Sequence, residues 1–363
     1  MKQAFVNVSR AWFFRLCVGS CGLFLSAAVL AQTAAPPVSA TRPAATPGDD
    51  ALTEWRILER VMTAADRGLE FLARQQQPDG RWADTHAANA LTLLAFLGRG
   101  HTPGHGLYRE ALERGKRFLL STQREDGLLQ SPQSRGPMYE HALATLALAE
   151  MYGQDPDPRL EEGLRRAVTL IVNAQSASGG WRYQPKPGDQ DLSVSVMQIV
   201  ALRAANNADV PVPEETIRKA IAFVRSCTVA AGGFSYTPGG GMSPQMTAAG
   251  TLSLQLLGQY DDDRIGPAME TVTRIPVVWG PSSQIQYFFY FHYYAIQASY
   301  QAGGRNWNLW HPRVREMVLA GQQADGHWAL PPGYGNEPAE IYPTAMATLI
   351  LEIYMHYLPA YQR

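Results

Sequence analysis

Cysteine and charge are both scarce in this sequence. It has three cysteines in 363 residues, and only 17% of its residues are charged, against a typical ~25%. The 31 basic and 32 acidic residues give a net charge of -1. An electrostatic nucleic-acid binder carries a basic surplus, so no nucleic-acid partner is expected. The 46% of apolar residues instead favours a large buried core.

The first 31 residues are predicted to be a signal peptide. Lys2, Arg10 and Arg15 precede an apolar run over residues 16–31 that contains no charge. That run is shorter than the ~20 residues of a spanning helix, so we expect cleavage after Ala31, export to the periplasm or beyond, and no transmembrane segment afterwards. A lipoprotein site at Cys21 is the alternative. Cleavage would leave one cysteine, so stability must come from packing.

Residues 32–50 are predicted to be a disordered tether. They contain Pro36, Pro37, Pro43 and Pro47 among Ala, Ser and Thr, with no apolar periodicity. Such a segment cannot bury a core.

Residues 51–363 are internally repeated. Each unit has a basic residue, an apolar stretch and then Gln-x3-Gly-x-aromatic, as in Arg67 to Trp82, with lapses at Leu129 and Thr228. A unit near Trp279 keeps only part of this pattern. The corner glycines follow one another at intervals of 46 to 53 residues: Gly80, Gly127, Gly179, Gly232, Gly280 and Gly326. A fixed period of this length is typical of repeat architectures, so we predict six units.

The pattern of each unit predicts two helices. The basic-apolar stretch has a 3.6-residue period, and the glycine ends the helix in the left-handed conformation. A second, almost uncharged helix follows, as in residues 141–148, and a helix that is apolar all round belongs inside. We therefore predict an all-α protein of about twelve helices, with an inner ring inside an outer ring. The corner residues Trp82, Trp181 and Trp328 should be buried beside Gln76, Gln175 and Gln322.

These corners resemble the QW repeat of squalene and oxidosqualene cyclases, and the likeness covers nearly all of residues 51–363. The resemblance implies the (α/α)6 toroid that this family shares with protein prenyltransferases. The end of the chain also resembles small exported bacterial proteins with prenyltransferase and squalene-oxidase repeats. It implies an exported toroid that binds or acts on an isoprenoid or another apolar small molecule in a central cavity.

The resemblance also implies candidate catalytic residues. Class II terpene cyclases protonate their substrate with the third residue of an Asp-x-Asp-Asp motif. Asp189 matches the first position and Asp191 the acid, while Leu192 replaces the last Asp. Burial beside Asp189 would favour the protonated form of Asp191. The competing interpretation is that either residue caps the following helix.

Further candidate binding residues recur where inner helices begin. His86, Glu140, His141 and Tyr342 hold such positions, and inner helices start at one end of a toroid, so their side chains should converge on its mouth. The run from Tyr287 to Tyr294 consists of eight ring-bearing residues. Tyr287, Tyr290 and Tyr294 share one helix face and would line the cavity, unless they are ordinary core.

The sequence motifs of other functional classes are weaker or missing. Protein prenyltransferases bind zinc through Asp, Cys and His, and no Asp-x-Cys surrounds Cys227, so neither a metal nor another cofactor is expected. Gly-rich phosphate loops and Gly-x-Ser-x-Gly are missing. Two alternatives stay open. One is a non-catalytic binding or scaffold toroid. The other is a polysaccharide lyase or hydrolase, with carboxylates drawn from Asp84, Asp189, Asp191 and Glu340.

Overall fold

The computed structural model describes residues 47–282, 284–334, 340–353 and 355. The predicted signal peptide and most of the predicted tether lie outside these residues. The chain divides into the units Met1–Ile57 and Leu58–Arg363, and the ring described below is the second unit. Helix α1 begins at Pro47, so residues 47–50 of the predicted tether are helical.

Twelve helices are found in the described part of the chain, alternating between two layers. The outer helices are α1 (Pro47–Arg74), α3 (Arg109–Thr122), α5 (Pro158–Ala174), α7 (Glu214–Ser226), α9 (Ile265–Arg274) and α11 (Gly304–Ala320). The inner helices are α2 (His86–Gly98), α4 (Pro137–Gln154), α6 (Leu192–Asn207), α8 (Pro244–Leu256), α10 (Phe288–Ala302) and α12 (Ile341–Glu352). The short strands β1 (Thr228–Val229) and β2 (Gly233–Phe234) pair antiparallel at one corner.

The inner helices form a closed ring. Each packs on the next, from α2 through α4, α6, α8 and α10 to α12, and α12 packs back on α2. Nearly every residue of α2 is buried, whereas α5 buries one stripe that includes Leu160, Leu164, Val168 and Ile171. This difference separates the layers, because burying each such side chain contributes ~1.5–3 kcal/mol. The predicted all-α toroid is confirmed.

The corners explain why the sequence pattern recurs. Nε2 of Gln175 donates to the carbonyl oxygens of Gly179 and Thr216, both at 2.9 Å, and so joins its own corner to the next outer helix. Gln76, Gln123 and Gln322 make the equivalent pairs of bonds. The glutamine thus ties the turn after one outer helix to a backbone carbonyl of the next outer helix.

The corner tryptophans are buried, as predicted. Trp82 is 3% exposed, and Trp181 and Trp328 are fully buried. Each indole Nε1 donates to a carbonyl in the last turn or so of the preceding outer helix, at 2.7–2.9 Å. The corner near Trp279 differs, because Trp279 packs edge-on against Phe288 and Phe289 instead. Among the described residues, no helix combines the length and the apolar character needed to cross a membrane.

Candidate functional site

A groove opens at the end of the ring where the inner helices begin. It has a volume of about 660 Å³ and lies at the starts of α2, α10 and α12. Six of its fifteen described lining residues are aromatic: Trp82, Tyr287, Phe288, Phe289, Tyr334 and Tyr342. The polar groups Gln77, Asp84, Thr85 and Gln286 lie among them. We call this the mouth groove.

Two of the predicted binding residues line the mouth groove. Tyr287 is 62% exposed and immediately precedes α10. Tyr342 lies in the first turn of α12, packs edge-on against Phe289, and has its pKa raised to about 12 by burial. A phenol with such a pKa is neutral at pH 7, so Tyr342 offers the groove an uncharged aromatic face.

Asp191 caps helix α6. Its side chain is fully buried, and Oδ1 accepts hydrogen bonds from the Val194 backbone at 2.9 Å and the Ser193 hydroxyl at 2.6 Å. Oδ2 lies 3.2 Å from Nε of Arg182, an ion-pair contact, and accepts no hydrogen bond from the described residues. Oδ1 is thus occupied by two donors and Oδ2 faces a cation, an arrangement suited to a carboxylate that fixes the start of a helix. The acid role of Asp191 stays a prediction.

Asp189 does not share the burial of Asp191. It lies exposed on the loop before α6. The charged residue that faces Asp191 is Arg182 rather than Asp189. The Arg182 guanidinium lies over the rings of Tyr183 and Tyr236, at 5.0 and 5.8 Å from their centroids. Aromatic faces stabilise a partly buried cation in this way, so the Arg182 side chain is held toward Asp191.

Tyrosines from two inner helices meet at the start of a third. Tyr139 of α4 and the Ser193 hydroxyl of α6 form a hydrogen bond of 2.6 Å. The Tyr290 hydroxyl of α10 donates to the carbonyl oxygen of Ser193 at 3.3 Å. Tyr294 packs edge-on against Tyr290, with their centroids 4.7 Å apart. Of the predicted residues, the structure therefore brings Tyr290 and Tyr294 together with Asp191.

His86 and Glu140 form a separate network that faces an outer helix. His86 Nε2 is 2.8 Å from the Thr122 hydroxyl of α3, and its backbone N–H donates to Glu140. Burial lowers the pKa of His86 despite the nearby Glu140 carboxylate. Burial would raise the pKa of Glu140, but hydrogen bonds from Ser134, Ser131 and His86 outweigh it and lower that pKa. The described lining of the mouth groove includes neither His86 nor Glu140.

His141 joins a corner to an outer helix. Nδ1 accepts from the backbone N–H of Leu129, and Nε2 lies 3.1 Å from the carbonyl oxygen of Ala167 in α5. Asn89, Ser195 and Thr344 accept from the corresponding corner N–H groups of Trp82, Trp181 and Trp328. His141 therefore holds a recurring structural position, and complete burial lowers its pKa to about 4.

Sequence reasoning missed Tyr139, Arg182 and Ser193. Tyr139 directly precedes Glu140 and His141, the two polar residues that the sequence favours as binding residues. Successive side chains on a helix point about 100° apart. A shift of one position along an inner helix therefore decides whether a side chain faces the ring axis or the outer layer. The available signal was an aromatic residue in the first turn of several inner helices, as at Tyr139, Tyr290 and Tyr342.

Known sequences match part of the chain. A terpene cyclase/mutase of Nectria is 31% identical over 156 residues, which is 38% of this chain and 20% of that protein. Lanosterol synthase of Aspergillus fumigatus is 30% identical over 148 residues, or 36% of this chain and 18% of its own length. A drimenyl diphosphate synthase of Streptantibioticus cattleyicolor is 33% identical over 132 residues, 34% of this chain and 24% of that protein. These matches span a quarter or less of the relatives. No family model matches the chain.

Solved structures match most of the chain. The type II terpene cyclase MstE of Scytonema, solved with geranylgeranyl dihydroxybenzoate, has a TM-score of 0.56 at 14% identity, covering 82% of this chain and 98% of its own. Cellobiose 2-epimerase of Spirochaeta thermophila has a TM-score of 0.61 at 15% identity, covering 81% and 96%. An α-1,6-mannanase of Salegentibacter has a TM-score of 0.59 at 10% identity, covering 80% of this chain and 98% of its own. The chain is a terpenoid-cyclase-like α/α toroid.

Proposed function

We propose that this chain binds an elongated apolar ligand of the isoprenoid class at the mouth of the ring. The observation that carries the proposal is the mouth groove, about 660 Å³ of space whose described lining includes six aromatic residues. A mostly apolar concave site with a few polar groups is the usual form of a small-molecule site.

The chemistry of the groove walls favours an uncharged, hydrocarbon-rich ligand. Burial raises the pKa values of Tyr334 and Tyr342, so both phenols are neutral at pH 7 and offer ring faces. Asp84, Gln77 and Gln286 can accept or donate a hydrogen bond to a terminal hydroxyl group. An isoprenoid alcohol has this combination of a long apolar body and one polar end. The similarity to a cyclase solved with a geranylgeranyl compound supports the same ligand class.

Binding without acid-catalysed turnover is the form of this function that we favour. A cyclase acid must present a proton to the substrate, and Asp191 instead has its oxygens engaged by Ser193, Val194 and Arg182. The proposal therefore gives Asp191 a structural role, and a variant of this residue tests the choice (Discussion).

We propose also that the protein acts outside the cytoplasm, after removal of residues 1–31. Lys2, Arg10 and Arg15 followed by an uncharged apolar run support this. The full chain is expressed with a C-terminal tag. Mass spectrometry of the periplasm or medium should then find a product whose first residue is Gln32. A product of full mass retained in the cytoplasm would contradict export, and a lipid-modified product beginning at Cys21 would identify a lipoprotein.

A carbohydrate ligand is the second candidate. It is favoured by the mixture of aromatic faces with Asp84 and the two glutamines in the groove, and by the similarity to a mannanase solved with α-1,6-mannotriose. Of the four carboxylates considered from the sequence, Asp84 belongs to the described lining of the groove, and Asp189, Asp191 and Glu340 do not. Paired carboxylates across a sugar are the usual hydrolase arrangement, so this candidate is limited to binding.

Calorimetric titration tests both candidates. The mature chain is titrated with farnesol at concentrations below those at which farnesol aggregates. A separate titration uses α-1,6-mannotriose. We expect farnesol to bind and the sugar not to bind. Tyr287→Ala should weaken farnesol binding about tenfold, since it removes an exposed ring from the groove wall. Leu107→Ala is the matched control, because Leu107 is 81% exposed and lies outside the groove. Equal effects of the two variants, or sugar binding alone, would overturn the isoprenoid proposal, and binding of neither ligand would favour a scaffold.

A further inference from the structure

We propose that Asp84 makes the mouth groove selective for the free alcohol form of an isoprenoid over its phosphate esters. This inference rests on the proposed function, because it concerns the polar end of the ligand that the groove binds. It depends on Gln77, Arg81 and Asp84, which lie in the turn between α1 and α2. We call these three residues the head-group corner.

Asp84 is the one charged residue in the described lining of the mouth groove. The side chains of Gln77, Thr85 and Gln286 in the same lining are uncharged. The Asp84 side chain is 90% exposed, so its carboxylate can meet a ligand without any change of the fold. A groove whose described lining holds a carboxylate and no cationic side chain repels an anionic head group.

Arg81 lies outside the described lining, and its guanidinium is already engaged. Its Nη1 lies 3.2 Å from Oδ1 of Asp84, and its Nε lies 3.2 Å from Oδ2 of Asp79. The same Nε donates to Oε1 of Gln77 at 3.0 Å. Two carboxylates therefore share one cation, so Arg81 does not cancel the negative charge that the groove meets.

The contact with Arg81 also fixes the orientation of the Gln77 amide. A guanidinium has donors only, so the Gln77 atom that faces it is the oxygen Oε1. The amide nitrogen Nε2 is then the donor that Gln77 can offer to the groove. The Asp84 carboxylate, in contrast, has acceptors only. The head-group corner therefore presents a donor group and an acceptor group to the end of a ligand.

A hydroxyl group matches this pair of groups, and a phosphate ester does not. The hydroxyl can donate its proton to Asp84 while its oxygen accepts a hydrogen bond from Gln77. An ionised phosphate has acceptors only, so it cannot donate to Asp84, and it meets that carboxylate as a like charge. The mouth groove is thus suited to an isoprenoid that carries no phosphate.

Three ligands with one farnesyl tail and different polar ends test the selectivity. Farnesol donates and accepts, farnesyl methyl ether accepts only and is uncharged, and farnesyl phosphate accepts only and is charged. Each is titrated by calorimetry at concentrations below those at which it aggregates. Wild type should bind farnesol about fivefold more tightly than the ether and about twentyfold more tightly than the phosphate, because the phosphate adds charge repulsion to the missing donor.

Asp84→Asn should remove most of this selectivity while keeping the shape of the side chain. The asparagine amide can donate to an ether or phosphate oxygen, so both ligands should come within about threefold of farnesol. Asp263→Asn is the matched control, because Asp263 is also 90% exposed, pairs with the partly exposed Arg264 and lies outside the described lining of the groove. It should keep the wild-type order of affinities, and circular dichroism confirms that both variants fold.

Equal affinities of wild type for the three ligands, or tightest binding of farnesyl phosphate, would overturn the selectivity while leaving the proposed function intact. An unchanged preference for farnesol in Asp84→Asn would show that another residue selects the head group, and would also overturn the inference. No binding of any farnesyl compound by wild type would overturn the proposed function and the selectivity with it.

Discussion

Gln322, just after the last complete outer helix, donates a hydrogen bond of 2.8 Å from Nε2 to the carbonyl oxygen of Ala64 in the first. This bond joins residues that are 258 positions apart and closes the outer layer of the ring. The same nitrogen donates to Gly326 within its own corner at 2.9 Å. One amide group therefore both ends a helix turn and holds the two ends of the toroid together.

Gln322→Ala should destabilise the domain by about 2 kcal/mol. The change removes both hydrogen bonds and leaves the Ala64 and Gly326 carbonyls without this donor. Urea unfolding followed by circular dichroism measures the effect. Gln133→Ala is the matched control, because Gln133 is exposed, and it should change stability by less than about 0.5 kcal/mol. Equal values for both variants would show that ring closure does not depend on the corner glutamine.

Gly127→Val should destabilise the domain by about 3 kcal/mol. Gly127 has a φ of +89°, and a Cβ there would lie 2.6 Å from the carbonyl oxygen of Arg166 on the next outer helix. A β-branched residue therefore meets both backbone strain and a clash. Gly188→Val, at a glycine with open space around its Cβ position, should be nearly neutral. An unchanged melting temperature for Gly127→Val would contradict the corner geometry.

Asp191→Asn separates the structural role of this residue from the acid role. Asparagine still caps a helix, so we expect a stability loss of about 1 kcal/mol from the ion pair with the partly exposed Arg182. Farnesol affinity should stay within about threefold. Turnover of an isoprenoid is followed in parallel by mass spectrometry. Turnover by wild type that disappears in this variant, at unchanged affinity, would assign the acid role to Asp191 and reject our choice.

The buried His141 should make the domain lose stability in acid. Its pKa of about 4 in the folded state lies below the ordinary 6.5, so the unfolded chain takes up the proton first. The stability contribution is present above pH ~6.5 and falls as the pH drops toward 4, by up to roughly 3 kcal/mol. His141→Asn, the residue found at the equivalent position 89, removes this titration. Its stability should depend less on pH over this range, and an unchanged pH dependence would exclude His141 as a source.

Glu352 should make stability fall as the pH rises, which is the opposite of the effect of His141. Burial raises its pKa well above the usual value, and neither carboxyl oxygen has a hydrogen-bond partner among the described residues. Folding therefore takes up a proton at neutral pH, and stability falls as the pH rises above about 4.5. Glu352→Gln should be more stable than wild type at pH 7 and closer to it at pH 4. Thermal unfolding from pH 4 to 8 makes the comparison, with exposed Glu54→Gln as the control. A variant that is no more stable at pH 7 would contradict a neutral Glu352.

The sequence by itself determined the layers and the corners. A 3.6-residue apolar stripe needs one partner surface, and an apolar surface all round needs several, so alternation of the two patterns defines an outer and an inner layer. The Gln-x3-Gly-x-aromatic spacing is likewise local, since Gln175, Gly179 and Trp181 belong to one turn and contact the same helix end.

Only the tertiary structure decided which side chains face the ring axis. Tyr139, Glu140 and His141 are consecutive, yet the first meets Ser193 at the start of the neighbouring inner helix α6 and the last contacts outer helix α5. The rotation of α4 about its axis separates them, and packing against the neighbouring helices sets that rotation. The partner of Asp191 was likewise undetermined, because Arg182 approaches it through the fold of the corner rather than through a sequence motif. The closure of the ring by Gln322 and Ala64 depends on all six pairs being in place, which no local pattern specifies.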